Sequence, residues 1–187
     1  MATMTELIDN TVRTKFHDLL NEQIANEFSA SQQYIAVAVY YDNIDMPQLA
    51  RHFYRQAVEE RNHAMMILQY FLDRDMSIDL PGIEAPRSEF DNYKAPIDLA
   101  LAQEKRVTQQ IVDLARAARD NGDYLGEQFM QWFLKEQVEE VATMTTLQTI
   151  AERANGNLFD LENFVEREFG AAESVDATAP AAAGGAI

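Results

Sequence analysis

Four long stretches of this chain carry apolar residues three and four positions apart, and each stripe is interrupted near its middle by a glutamate. The first reads Phe16, Leu20, Ile24, Glu27, Ser31, Tyr34 and Ala38. The second reads Leu49, Phe53, Gln56, Glu60, His63, Ile67 and Tyr70. The third reads Ile97, Leu101, Glu104, Thr108, Ile111, Ala115 and Ala118. The fourth reads Phe129, Phe133, Glu136 or Gln137, Glu140, Met144 and Leu147. That spacing is one face of an α-helix, so the fold class is all-α. Stripes this long suit a four-helix bundle, in which mid-helix positions meet at one level. A carboxylate buried there without a partner costs several kcal/mol, roughly, and four at one level repel one another. A buried carboxylate without a partner would protonate or destabilise the fold, so the pattern raises the question of which cation sits among Glu27, Glu60, Glu104 and Glu140.

Local signals divide the chain. The first helix is expected from about Arg13 to Tyr41, and the second to start behind Asp45 or Met46 with Pro47 in its first turn. The second helix is expected to end near Arg74. Helical spacing lapses between Met76 and Ala95, where Pro81-Gly82, Pro86 and Asp91-Asn92 are turn chemistry. Such a stretch is long enough to carry the chain back along a bundle, so the second and third helices are expected to be joined by a long crossover. Pro96 opens the third helix, and Asn121-Gly122 closes it because both residues tolerate a left-handed backbone. Asp123 caps a fourth helix from about Tyr124 to Ala154. Asn155-Gly156-Asn157 stops it and starts a short fifth, Leu158 to about Phe169. Residues 1–170 read as one domain. Ala171 to Ile187 holds eight alanines, two glycines and one proline, a composition that buries too little to fold alone, and reads as a tail.

A net charge of -16 argues against a nucleic-acid partner, which needs a cationic surface, and favours attraction of cations. No run of 18 apolar residues is present, so no membrane span is expected. Met1 to Thr14 lacks an apolar signal core, which points to the cytoplasm. The absence of cysteine removes thiolate zinc sites and cysteine-held iron–sulfur clusters.

One known way to hold a metal inside a bundle takes a single Glu from each of two helices and Glu-x-x-His from each of the other two. Glu27 and Glu104 supply the single carboxylates, and Glu60-x-x-His63 is one paired motif. The fourth helix departs, offering Gln137-x-x-Glu140 with Glu136 and Glu139 beside it. The site is therefore expected to be uneven, with one histidine-bearing metal position and one richer in oxygen. Carboxylates with one imidazole suit iron or manganese, and also zinc. Glu59, Glu136 and Glu139 either converge as a third, weaker cation position or form a solvated acidic face. Tyr34 and Trp132 are candidates to donate an electron or simply core residues. His17 and His52 lie away from the carboxylate level, with His52 at the surface or against a neighbouring element.

Five segments in order, Asn26-Glu27-Phe28 with Gln33-Tyr34, Glu59-Glu60-Arg61-Asn62-His63-Ala64, Gln103-Glu104, Gln131-Trp132-Phe133 and Glu136-Gln137-Val138-Glu139-Glu140, resemble the non-haem bacterial ferritins of the actinobacterial type with an extended C-terminal tail. The resemblance spans about residues 13–168. It implies a ferritin-like four-helix bundle, a homo-oligomeric cage of 24 subunits storing ferric oxide-hydroxide, and a ferroxidase centre that uses O2 or H2O2. It implies that Glu27, Glu60 and His63 hold the first iron, that Glu60 bridges, and that Glu60, Glu104 and Glu140 hold the second beside Gln137. It places Glu59, Glu136 and Glu139 at a third iron position and Tyr34 next to the centre. Haem-binding relatives carry methionine directly after the bridging glutamate. Arg61 stands there in this chain, so no haem is expected.

Other classes are left. A smaller di-iron redox enzyme acting on peroxide or an organic substrate would share the ligands, but the lack of cysteine removes a rubredoxin-type centre. A DNA-protecting mini-ferritin would place its ligands between subunits. A purely structural bundle would pair its buried acids with Lys or Arg, and the four stripes offer almost none at that level.

Overall fold

The computed structural model describes residues 13–171 and 176–187. The N-terminal segment read above as lacking a signal core falls, from Met1 to Val12, outside the described residues, as do residues 172–175 of the tail. Among the described residues five helices follow one another: α1 Lys15–Asn43, α2 Pro47–Asp73, α3 Ala95–Asp120, α4 Tyr124–Ala154 and α5 Leu158–Phe169. α1 packs along α2, α3 along α4, α1 against α3, and α5 against α2 and α4. Residues 74–94 form the expected crossover and contain no regular element.

Most boundaries follow from local chemistry. Gly122, at φ 69°, turns the chain out of α3, whereas Asn121 keeps right-handed helical geometry, so glycine alone makes that turn. Asp123 accepts from the Gly126 amide, and Asn157 from the Asp160 amide, each capping its helix. Asn155 is left-handed, as expected after α4. α1 runs two residues beyond Tyr41, which shortens the link to Ile44–Met46.

The start of α2 is built differently. Met46 occupies the cap position and offers no acceptor, while Asp45 is held at φ 58°. Glu162 of α5 takes over: its Oε2 accepts from the Gln48 amide at 2.8 Å and its Oε1 from the Leu49 amide at 3.0 Å. In return, Arg55 of α2 donates to the carbonyls of Phe169, Gly170 and Ala171 at the other end of α5. The two helices thus cap each other. His52 packs against this joint, its ring 5.3 Å from that of Phe169. His17 also serves the frame, joining Thr14 at the head of α1 to Asp123 at the head of α4.

The core has two apolar layers. One gathers Val37, Tyr41, Leu49, Phe53, Ile97, Leu101, Met144 and Leu147, with Leu161 and Val165 of α5. The other gathers Phe16, Leu20, Ile24, Ile67, Phe71, Ile111, Leu114, Met130 and Phe133. Each fully buried Leu, Ile or Phe contributes about 1.5–3 kcal/mol. Glu27 lies between Ile24 and Tyr34, Glu60 between Ala57 and Ile67, Glu104 between Leu101 and Val107, and Glu140 between Phe133 and Met144. The four carboxylates therefore share the seam between the layers.

The tail segment 176–187 lies on the bundle. Asp176 accepts from Trp132 Nε1 at 3.1 Å, the Ala183 amide donates to the Met65 carbonyl at 2.9 Å, and Ile187 exchanges backbone bonds with the Asn62 amide group. Ala179 and Ala182 pack against the second apolar layer.

Glu162→Ala should lower stability by about 1–2 kcal/mol, since it frees two first-turn amides and removes a carboxylate from a helix N-terminus. The check is a chemical denaturation curve together with amide hydrogen exchange, which should quicken at Gln48 and Leu49 and stay slow in the middle of α2.

Candidate metal centre

At the seam, Glu27 is 1% exposed, Glu60 2%, Glu104 0% and Glu140 7%, so water cannot solvate them as charges. Glu27, Glu60 and His63 each present one ligand atom within 4.8 Å of the others. Glu60 and His63 are one helical turn apart, and Glu60 Oε2 lies 3.3 Å from His63 Nδ1. The carboxyl of Glu60 influences both Glu27 and Glu104, so it stands between them. The charge of Glu140 is felt at both Glu60 and Tyr34, which puts α4 at the same level. Among the described residues, no lysine or arginine comes within ion-pairing distance of Glu27, Glu60 or Glu104.

Neutral donors frame the carboxylates. Gln23 donates to Glu27 Oε1 at 2.8 Å, and the Tyr34 hydroxyl donates to Glu104 Oε1. Gln137 also hydrogen-bonds to Glu104, while its own Oε1 accepts from the Thr108 hydroxyl at 2.9 Å. In this arrangement Gln137 lies beside Glu104 and is tied to Thr108 of α3. Its burial, against the half-buried Glu136, settles which of the two continues the α4 stripe. Trp132 and Phe133 set their ring edges against the His63 imidazole, with centroids 5.6 and 5.7 Å away.

The remaining predicted positions are less concentrated. Glu59 is half-buried and accepts from the Gln56 amide, Glu136 is half-buried, and Glu139 is exposed, 4.0 Å from Lys135. Gln23 and Thr108 are contacts the sequence reading missed. Gln23 had a readable signal, since an amide four residues before a carboxylate on a helix meets it directly. Thr108 had none beyond its place on the α3 stripe, because its partner depends on the register of α4.

Protonation follows from burial. Desolvation raises the Glu27 carboxyl, an effect partly opposed by bonds from Glu60 and Gln23. Desolvation first, and then the charges of Glu104 and Glu27, hold Glu60 well above the usual carboxylate range. Burial pushes Glu104 up to about 7, against the pull of the Tyr34 hydrogen bond. Burial drops His63 to about 4, so the imidazole is neutral near pH 7, the form that ligates metals. Tyr34 is raised well above its usual range by burial and by the Glu104 charge, and remains a phenol. Near neutral pH these groups hold protons where a metal would supply positive charge.

A buried cluster of carboxylates around one imidazole, at mid-height in a four-helix bundle with a long crossover, is the pattern of a bundle that could hold metal. Comparison with known proteins narrows the class. Residues 17–154 match the Ferritin-like domain. Ferritin BfrB of Mycolicibacterium smegmatis is 62% identical over 174 residues, covering 93% of this chain and 96% of that protein. The Bacterial non-heme ferritin of Staphylococcus epidermidis is 40% identical over 127 residues, covering 68% of this chain and 76% of that protein. The solved structure of an open pore ferritin from Archaeoglobus fulgidus superposes with a TM-score of 0.80 at 27% identity, covering 84% of this chain and 97% of that chain. The chain belongs to the ferritin family, as a bacterial non-haem ferritin. Its function is iron storage. No described helix is long and apolar enough to cross a membrane.

Metal binding should displace the seam's protons. Zn(II) added without oxygen to metal-free protein at pH 6.5 should release protons in a pH-stat titration. The release per ion should shrink as pH rises through 7, because Glu104 is then already ionised. Glu104→Gln should reduce the release at pH 6.5. A release independent of pH over this range would contradict the protonated seam.

Proposed function

We propose that this ferritin oxidises Fe(II) at the seam and stores the Fe(III) product as a mineral. The observation that carries this reading is the buried Glu27–Glu60–Glu104–Glu140 layer with His63, in which, among the described residues, Glu27, Glu60 and Glu104 have no lysine or arginine within ion-pairing distance. Glu27, Glu60 and His63 would take one Fe(II). Glu60, Glu104 and Glu140 would take the second, with Glu60 bridging because it stands between Glu27 and Glu104. Two iron ions would then be bound per subunit as substrate and cargo. Each Fe(II) gives up one electron. O2 takes up two electrons and two protons to leave H2O2; where H2O2 is the oxidant, it takes up two and two and leaves two waters. Those protons come from solvent, because ligation of iron has already displaced the protons of the carboxyl groups. Tyr34, a neutral phenol bonded to Glu104, is placed to hand over an electron and a proton when the oxidant outruns the iron supply.

Glu59, Glu136 and Glu139 would form a third, weaker iron position through which oxidised iron leaves the seam. Arg61, directly after Glu60, stands where haem-binding relatives carry methionine, so the reading includes no haem. Assembly as a 24-subunit cage is supported by exposed apolar residues at helical spacing, Ile35 and Val39 on α1 and Tyr54 and Val58 on α2, with Leu80 and Ile83 on the crossover. The acidic surface would concentrate Fe(II) at such a particle. A cytoplasmic location completes the proposal.

Fe(II) added in air should give a fast rise in ferric absorbance. The Glu60→Ala, His63→Ala double variant should slow the initial rate at least ~100-fold, taking the upper range for metal-site losses. Wild-type rates in that variant would refute the assignment. Size-exclusion chromatography with light scattering should give a particle of hundreds of kilodaltons from the 21.2 kDa chain. Tyr34→Phe should slow repeated turnovers about tenfold, read from successive aerobic additions of Fe(II).

A further inference from the structure

The two carboxylates at the ends of the seam are treated alike. Each has one oxygen tied by a neutral donor and the other left untouched. Glu104 Oε1 takes the Tyr34 hydroxyl, and no donor among the described residues reaches Oε2. Glu27 Oε1 takes the Gln23 amide at 2.8 Å, and no donor among the described residues reaches Oε2. Gln23 is itself 2% exposed and lies on α1 one turn before Glu27. A glutamine could turn its amide over and present oxygen to the carboxylate. Here it cannot do so without loss, because Asn26 Nδ2 donates to Gln23 Oε1 at 2.9 Å. The chain Asn26 to Gln23 to Glu27 therefore has a single direction. Asn26 anchors it from the wall of a polar groove of about 600 Å³ between α1, α3 and the crossover.

From this geometry we infer that Gln23 is a positioning residue for iron: it fixes Glu27 as a terminal ligand through Oε2 alone, and Asn26 locks its orientation. A cationic donor in its place would neutralise the carboxylate and compete with the ion. An amide holds the oxygen and leaves the negative charge for the metal. With Oε1 occupied, Glu27 cannot swing to chelate one ion through both oxygens. The histidine-bearing position thus keeps an open coordination place, while Glu60 remains free to bridge. Gln23 acts only through Glu27.

The inference rests on the two-ion reading proposed above, and its test separates the two. The probe is Co(II), titrated without oxygen into the assembled protein and followed by visible absorption, beside initial rates of aerobic Fe(II) oxidation. Gln23→Met keeps length and bulk but removes the donor. It should weaken Co(II) binding at the Glu27–His63 position about tenfold, leave the Glu60–Glu104–Glu140 position within about twofold, and raise the KM for Fe(II) more than it lowers kcat. Asn26→Ala, at a half-exposed position, should give the same pattern about threefold, since Gln23 can then turn over. Gln23→His, which restores an N–H donor, should recover part of the loss. Equal weakening at both positions, or unchanged binding in a variant that still assembles and melts like wild type, would overturn the positioning role. If wild type itself shows neither two-step Co(II) binding nor Fe(II) oxidation, the two-ion reading fails first.

Discussion

The structure depends on a dry layer of negative potential held between two apolar layers. Burial of Phe, Leu and Ile above and below the seam fixes the four helices in register, and that register is what brings Glu27, Glu60, Glu104 and Glu140 together. The layer itself opposes folding. Without metal, it is tolerated by protonation, with Glu60 well above the carboxylate range and Glu104 near 7. A divalent ion replaces those protons and turns an unfavourable layer into a binding site. Function and destabilisation here are the same feature.

What surrounds the layer is correspondingly neutral. Gln23, Tyr34 and Gln137 donate to carboxylates without supplying charge, and Trp132 and Phe133 wall the imidazole with aromatic edges. Arginines tie helix ends and loops, as Arg55 does for α5 and Arg74 for Asp123. A guanidinium at the seam would satisfy the acids permanently and leave nothing for iron. The arrangement also explains why one histidine suffices. Under the proposed two-ion reading, His63 would make one position distinct from the other, and the oxygen-rich side would pass ions on.

Much of this was legible in the sequence because helices report one face at a time. Periodicity located the stripes, and the interrupting glutamates marked the level of the site. Gly122, Asp123, Asn155 and Asn157 marked helix ends through interactions within a few residues. The failures were contacts between distant segments. The cap of α2 comes from Glu162, 114 residues away from Gln48, while the local sequence pointed to Asp45 or Met46. The contact of Gln137 with Thr108 depends on how α3 and α4 slide past each other, which no stripe records. The alanine-rich tail read as unable to fold alone. Its placement along α2 rests on a few partners, Asp176 with Trp132 and Ala183 with Met65, that composition does not reveal.

The most direct test of the account is anomalous X-ray scattering at the iron edge from crystals of the protein soaked anaerobically with Fe(II). Two peaks per subunit are expected, one bounded by Glu27, Glu60 and His63 and the other by Glu60, Glu104 and Glu140, with Glu60 reaching both. Iron confined to the exposed acidic surface, with the seam empty under those conditions, would contradict the claim that the buried carboxylate layer exists to hold it.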